Sequence, residues 1–255
     1  MNVMAAARQS RWEQKTFWRN PAAATFTFAF PLMFLVIFIA INGNDHVHLA
    51  QGVVKFAQYY VPAIVSFGLI SACYTNLAFT LSIRRENGLL KRTRGTPLSP
   101  VDYLAGIVGN VIVIALILTV LTILLGVIAY GVTFPGRYFG LVVTIASGAF
   151  CFSALGVLVS TIVPNEDSAP AVINFLLFPL LFISGTFGAI KNTSTLGRIA
   201  AVFPIRHLLQ QMVEVFNPFG SGTGIVASHT LVMLAWGFGG IAVSLRRFRW
   251  EPRLG

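Results

Sequence analysis

Five cations crowd the stretch from 84 to 94: Arg84, Arg85, Lys91, Arg92 and Arg94. Glu86 and Gly88 lie among them, and Gly95-Thr96-Pro97 follows at once. Cations this dense hold phosphates, mark one side of a membrane, or dock on a protein partner. Phosphate chemistry within this chain is disfavoured, because there is no G-x-x-x-x-G-K-[ST] loop to cradle it. H-E-x-x-H, G-x-S-x-G and C-x-x-C are missing as well, so no enzyme signature stands out. Any ATP-driven work needs a separate subunit to bind ATP and Mg; this chain is expected to carry no cofactor of its own.

The remaining reactive groups are sparse. Asp45-His46-Val47-His48 offers two histidines and a carboxylate, a weak pattern for a metal. Cys73 and Cys151 lie in apolar runs with no metal or disulfide spacing and read as small packing residues. None of the eight carboxylates (Glu13, Asp45, Glu86, Asp102, Glu166, Asp167, Glu214, Glu251) falls in the middle of an apolar run. Ion-coupled carriers need such groups, so proton or sodium coupling is disfavoured. His229 is either a ligand or relay, or a hydrogen-bonded packing histidine; the second reading is preferred. Asn76, Thr80, Asn110, Thr119, Thr122, Ser147, Ser153 and Asn174 either bond between helices or line a path. The 22 phenylalanines are either lipid-facing filler or walls of pockets for flat apolar molecules.

These residues are carried by a chain of 255 residues, 56% hydrophobic and only 10% charged. A soluble domain has roughly a quarter of its residues charged, so the chain is an integral membrane protein. Six helical spans are predicted, at 22–41, 59–83, 103–130, 138–163, 171–190 and 225–245. The run at 22–41 is longer than the ~7–15-residue core of a signal peptide and is read as the first span. Thirteen of the 18 Lys and Arg residues fall on the side of the two termini, which places both termini in the cytoplasm and explains the net charge of +10 without nucleic acid.

The segments between spans are equally readable. Residues 1–21 carry Arg8, Arg11, Lys15 and Arg19 on one helical face with Trp12, Phe17 and Trp18 among them. A helix in the headgroup plane is favoured over a simple basic flank. In the loop 84–102, Ser99 is a predicted N-cap, with Pro100 at the first helical position and Asp102 three residues after the cap. The apolar segment 191–224, broken at Pro204 and at Asn217-Pro218, is expected to form two short outer helices packed on protein.

Two stretches resemble a known family. Arg85-Glu86-Asn87-Gly88-Leu89-Leu90-Lys91-Arg92, then Gly95-Thr96-Pro97-Leu98-Ser99-Pro100 and Tyr103-Leu104-Ala105-Gly106, are similar to the permease subunits of ABC-2 type transporters, most of all the daunorubicin-resistance type of drug exporter. Ile183-Ser184-Gly185-Thr186-Phe187-Gly188 and Phe203-Pro204-Ile205-Arg206-His207 are similar to that family's region after the fifth span, with Ala189 or Ile190 where the family often has proline. The resemblance implies an all-α integral membrane fold: six transmembrane helices, an N-terminal interfacial helix, and short outer re-entrant helices before the last span, in one domain over 1–255. It implies export of a hydrophobic or amphipathic molecule, drug-like or lipid, from the bacterial cytoplasmic membrane by alternating access. The implied partners are two ABC ATPase subunits, a second permease copy or paralogue, the bilayer and the cargo. Arg84, Arg85, Glu86, Gly88, Leu89, Leu90, Lys91, Arg92 and Pro97 are implied in coupling to the ATPase, with Glu86 pairing to a basic residue of the ATPase or of the N-terminal helix. Phe67, Tyr74, Asn76, Asn174, Phe178 and Phe182 are the candidate lining of a path. Polysaccharide or glycolipid export by the same architecture, and a non-transporting anchor that recruits a soluble ATPase, remain the competing readings.

Overall fold

The computed structural model describes residues 2–49, 52–95, 98–187 and 195–247. It begins with α1 (Val3–Trp18), where the Asn2 side chain accepts hydrogen bonds from the Met4 and Ala5 backbone N–H groups. These are two of the donors that the first turn of a helix leaves unsatisfied. Asn20 then caps α2 (Pro21–Asn42), with Pro21 in its first turn. Arg8, Arg11, Lys15 and Arg19 are all exposed, as are Trp12 and Trp18. The opposite face of α1 packs on protein and is not apolar: it presents Ala6, Gln9, Ser10 and Glu13. That face fits because Gly106 and Gly109 of the facing helix carry no side chain; a Cβ at Gly106 would come within 2.4 Å of Gln9.

After Gly43, strands β1 (His46–Leu49) and β2 (Gly52–Lys55) form an antiparallel hairpin with His46 opposite Lys55. From sequence this segment is expected to be a loop, with Asp45-His46-Val47-His48 a weak metal pattern. The hairpin instead sets a cation across from His46, and among the described residues no group of three or more His, Cys, Asp or Glu is placed to hold a metal.

The central element is one continuous helical run, Phe56–Glu86. It consists of α3 (Phe56–Ile70), a π-helical segment (Ser71–Asn76) and α4 (Leu77–Glu86). Its middle is buried on nearly every side, in accord with an apolar composition that shows no single face. Gly88 turns the chain in the left-handed conformation (φ 66°) into the short α5 (Leu89–Arg94). α6 (Pro100–Tyr130) starts where the cap signals place it: the Ser99 hydroxyl accepts from the Asp102 N–H at 3.1 Å. α7 (Tyr138–Ser160), α8 (Ala169–Ser184), α9 (Thr195–Ala200), α10 (Pro204–Phe216) and α11 (Ala227–Arg247) complete the chain.

Among the described residues the fold is all-α apart from the hairpin. Among the described residues, five helices are long and apolar enough to cross a membrane. The exception among the predicted spans is the fifth. The expected 171–190 becomes α8, whose 16 residues rise about 24 Å, against a hydrocarbon core of ~30 Å. It stops at Ser184 because Gly185 turns left-handed (φ 96°), while the Ser184 hydroxyl bonds to the Leu181 carbonyl and the Thr186 hydroxyl. Residues 188–194 of the predicted fifth span and outer segment lie outside the described residues. The remaining outer segment does fold as short helices on protein. α10 buries Ile205, Leu208, Leu209, Met212, Val215 and Phe216, a helical stripe directed at α3 and α7.

Two apolar cores result. One surrounds the π-helical segment and joins α4, α6, α7 and α8 through Leu77, Ile107, Phe152 and Ile173. The other, nearer the hairpin, joins α2, α3, α6 and α10 through Leu35, Ile64, Ile123 and Met212.

Candidate functional site

The last turn of α4, from which the basic loop continues, is anchored by neighbouring residues that point different ways. Arg84 donates from Nη1 to Glu13 Oε1 (2.7 Å) and from Nη2 to Glu13 Oε2 (2.6 Å), a two-pronged pair with α1. Nη1 also reaches the Tyr103 hydroxyl on α6 (3.0 Å), and Gln9 donates to the same carboxylate (2.7 Å). Glu13 is 7% exposed and Arg84 19%. Fork-to-fork geometry of this kind fixes orientation as well as distance.

Arg85 turns into the interior. It is 3% exposed and donates to the Ser160 carbonyl (2.6 Å) and the Val163 carbonyl (2.5 Å). These are carbonyls at the end of α7, where a helix leaves its acceptors unsatisfied and favours a cation. Arg85 is therefore engaged within the chain and presents no side chain to a partner surface. Leu90 is fully buried in the central core as well. Asn87 donates to Glu166 of the next loop on this side (3.4 Å).

What remains outward is Leu89, Lys91 and Arg92. Glu86 is half-buried, and its Oε2 is enclosed without a hydrogen-bond partner among the described residues. Among the described residues Glu86 makes no ion pair with the N-terminal helix; the contact there is instead between Arg84, in the last turn of α4, and Glu13 of α1. Glu13 is the one carboxylate of α1 and faces away from its four exposed basic residues, which is the signal the sequence carries for an internal partner. Pro97 lies outside the described residues.

The residues expected to line a path separate into two groups. Phe67 and Tyr74 are internal, with Tyr74 donating to the Ile173 carbonyl (3.4 Å). Asn76 is half-buried and accepts from Thr80 (3.4 Å), and Asn174 is half-buried on α8. Phe178 and Phe182 are exposed, and with Phe175 they form one face of α8 at helical spacing. Phe187, outside the expected lining set, links the groups: its ring lies 5.2 Å from Phe182, 6.0 Å from Phe67 and 5.9 Å from Phe34. The result is an aromatic seam joining α2, α3 and the end of α8.

At the opposite end from the basic loop is a cavity of about 300 Å³ lined by Tyr59, Ser184, Arg206, Gln210, Glu214 and His229. Its wall is held by a histidine pair. His207 Nε2 contacts the Ala201 carbonyl at 2.8 Å, so that nitrogen carries the proton. His207 Nδ1 then accepts from His229 Nδ1, also at 2.8 Å. His229 is thus hydrogen-bonded between α10 and α11, as the packing reading expects. Arg137 braces the same region through the Glu214 backbone and carboxylate (2.5 and 3.3 Å).

No curated protein matches the chain. A family model described as ABC-2 type transporter matches residues 9–217. The match runs from within α1 to the end of α10 and takes in Glu13, Arg84, the aromatic seam and the histidine at 207. A helical, multi-pass chain with most of its length in that match belongs to the ABC-2 type transporter family, as a membrane component of an ABC transporter and a transport subunit in place of a catalytic one.

Proposed function

We propose that this chain is the permease subunit of an ATP-driven exporter that moves a hydrophobic or amphipathic molecule, drug-like or lipid, out across a bacterial cytoplasmic membrane. Two ATPase subunits bind and hydrolyse ATP with Mg, and two permeases, identical or paralogous, pair above them. Both termini and the Arg84–Arg94 loop lie on the cytoplasmic side, where the basic residues of α1 and of the end of α11 also gather.

The observation that carries this reading is the fixation of the loop at three points. Arg84 ties it to α1, Arg85 to the end of α7, and Leu90 to the core. A push on the exposed Leu89, Lys91 and Arg92 therefore reaches α1, the end of α7 and the central core at once. Pairwise ties of this kind give a rigid element something to move, which is what transmission between subunits requires. The phenylalanine face of α8 supports an apolar cargo: Phe175, Phe178 and Phe182 present no charge and little hydrogen-bonding capacity. In a pair of permeases that face borders the path, with the seam through Phe187 and Phe67 behind it.

The test is ATPase activity of the permease assembled with its ATPase subunit in lipid, wild type against Leu89→Asp. The substitution sits on an exposed residue and leaves the buried anchors intact. Loss of assembly or of cargo-stimulated turnover in a folded variant is the expected result. Unchanged assembly and turnover would overturn the coupling role of this face.

A further inference from the structure

We infer that a groove between α6, α7 and α11 is a binding site for one anionic glycerophospholipid of the leaflet on the basic-loop side. The groove is about 850 Å³ and almost entirely apolar, with walls that include Leu104, Val108 and Ile112 of α6, Ala146 and Val157 of α7, and Ile241 of α11. It continues along α6 to Leu116, twelve residues beyond Leu104 and so about 18 Å. Half of a ~30 Å hydrocarbon core is about 15 Å, so the slot has the length of one leaflet's acyl chain. Small residues make it: Ala105, Ala146, Ala149 and Ala154 line it where larger side chains would close it.

Two further observations select the ligand. Ser244 lines the groove, is 6% exposed, and has a hydroxyl with no hydrogen-bond partner among the described residues. An enclosed hydroxyl without a partner is costly, and a ligand oxygen there relieves it. Beyond Ser244 and Leu245, α11 ends in the exposed Arg246 and Arg247. Read along α11 toward its end, the chemistry is an apolar slot, a hydroxyl, then two cations. A glycerophospholipid has the same order: acyl chain, ester, phosphate. A second copy of this chain would need a complementary ridge and gains nothing from the cations, whereas anionic headgroups are drawn to such residues.

The site rests on the proposed orientation only for naming the leaflet, not for its existence. It is tested by native mass spectrometry of the full chain released from nanodiscs holding equal palmitoyl-oleoyl phosphatidylglycerol and phosphatidylcholine. Wild type is expected to retain one phosphatidylglycerol, preferred roughly 30-fold, the factor two interfacial arginines supply. Ala146→Trp, on an exposed groove residue, is expected to abolish retention of both lipids. Arg246→Ala with Arg247→Ala is expected to remove the preference and keep residual binding of either lipid. Ser244→Ala, which adds no bulk, is expected to lower retention several-fold and guards against misfolding of the tryptophan variant. Retention of neither lipid by wild type, or retention indifferent to both Ala146→Trp and Ser244→Ala, would overturn the site. The readout uses no ATPase and no cargo, so its failure leaves the exporter reading standing, and failure of the Leu89→Asp test leaves the lipid site standing.

Discussion

Arg84 and Glu13, 71 positions apart, meet through two parallel hydrogen bonds of 2.6 and 2.7 Å. The pair joins α1 to the end of the most buried transmembrane element, at the point where the basic loop begins. It fixes α1 to the rest of the fold, on the side where α1 already packs against Gly106 and Gly109 of α6.

Breaking that pair leaves a largely buried charge without its counterpart. Glu13→Gln is expected to destabilise the protein by about 3 kcal/mol, the lower end for a broken buried pair. The loss is visible as a lowered midpoint of thermal unfolding in detergent. Exchanging the charges, Glu13→Arg with Arg84→Glu, is expected to recover part of it. If the single variant unfolds like wild type, α1 is not held by this contact.

Arg85 is expected to be intolerant even of lysine. Its two nitrogens satisfy two carbonyls at once, and a lysine ammonium has neither the reach nor the planar fork. Each hydrogen bond from a charged donor is worth about 1.5–3 kcal/mol. Arg85→Lys is expected to lower the unfolding midpoint clearly, measured against Arg92→Lys as an exposed control that changes nothing.

Leu89 and Leu90 are expected to behave oppositely despite being adjacent. Leu89 is 43% exposed and Leu90 is 0%. Leu90→Ala is expected to cost about 2–5 kcal/mol through a core cavity, and Leu89→Ala almost nothing. Unfolding midpoints of the two variants check this directly, before any assay of transport.

Gly156 is expected to admit no larger side chain. Its missing Cβ would lie 2.9 Å from the Tyr74 carbonyl oxygen and 3.0 Å from that of Cys73. Those are backbone atoms of the π-helical segment and cannot swing aside. Gly156→Val is expected to cost at least about 1–3 kcal/mol, with α7 pushed off the central helix. A disulfide-trapping pair across α7 and the segment, formed in wild type and lost in the variant, reports the displacement.

His207 and His229 are expected to be coupled. Replacing His229 by Phe leaves the buried His207 without its partner, at about 1–3 kcal/mol for an unsatisfied polar group, whereas replacing His207 leaves the half-buried His229 within reach of water in the cavity. Replacing both is expected to cost less than the sum of the single changes, as a double-mutant cycle of unfolding midpoints measures.

Much of this protein is determined locally and is therefore present in the sequence by itself. Length and lack of charge dictate membrane helices, because a bilayer leaves no other way to satisfy the backbone. Ser99-Pro100 with Asp102 sets the start of α6, and Gly88 the break between α4 and α5, since caps and turns depend on residues a few positions apart. The basic loop is visible as composition and as a resemblance to ABC-2 permeases. Tertiary structure alone decides which of its residues face outward: Arg85 and Leu90 turn in, Leu89 and Arg92 turn out, and Arg84 finds a carboxylate 71 positions away. It also decides the early stop of α8, the hairpin at His46–Lys55 and the tie between His207 and His229. The physical reason is common to all of these: burial and pairing depend on what arrives from distant parts of the chain, whereas propensity and hydropathy depend only on neighbours.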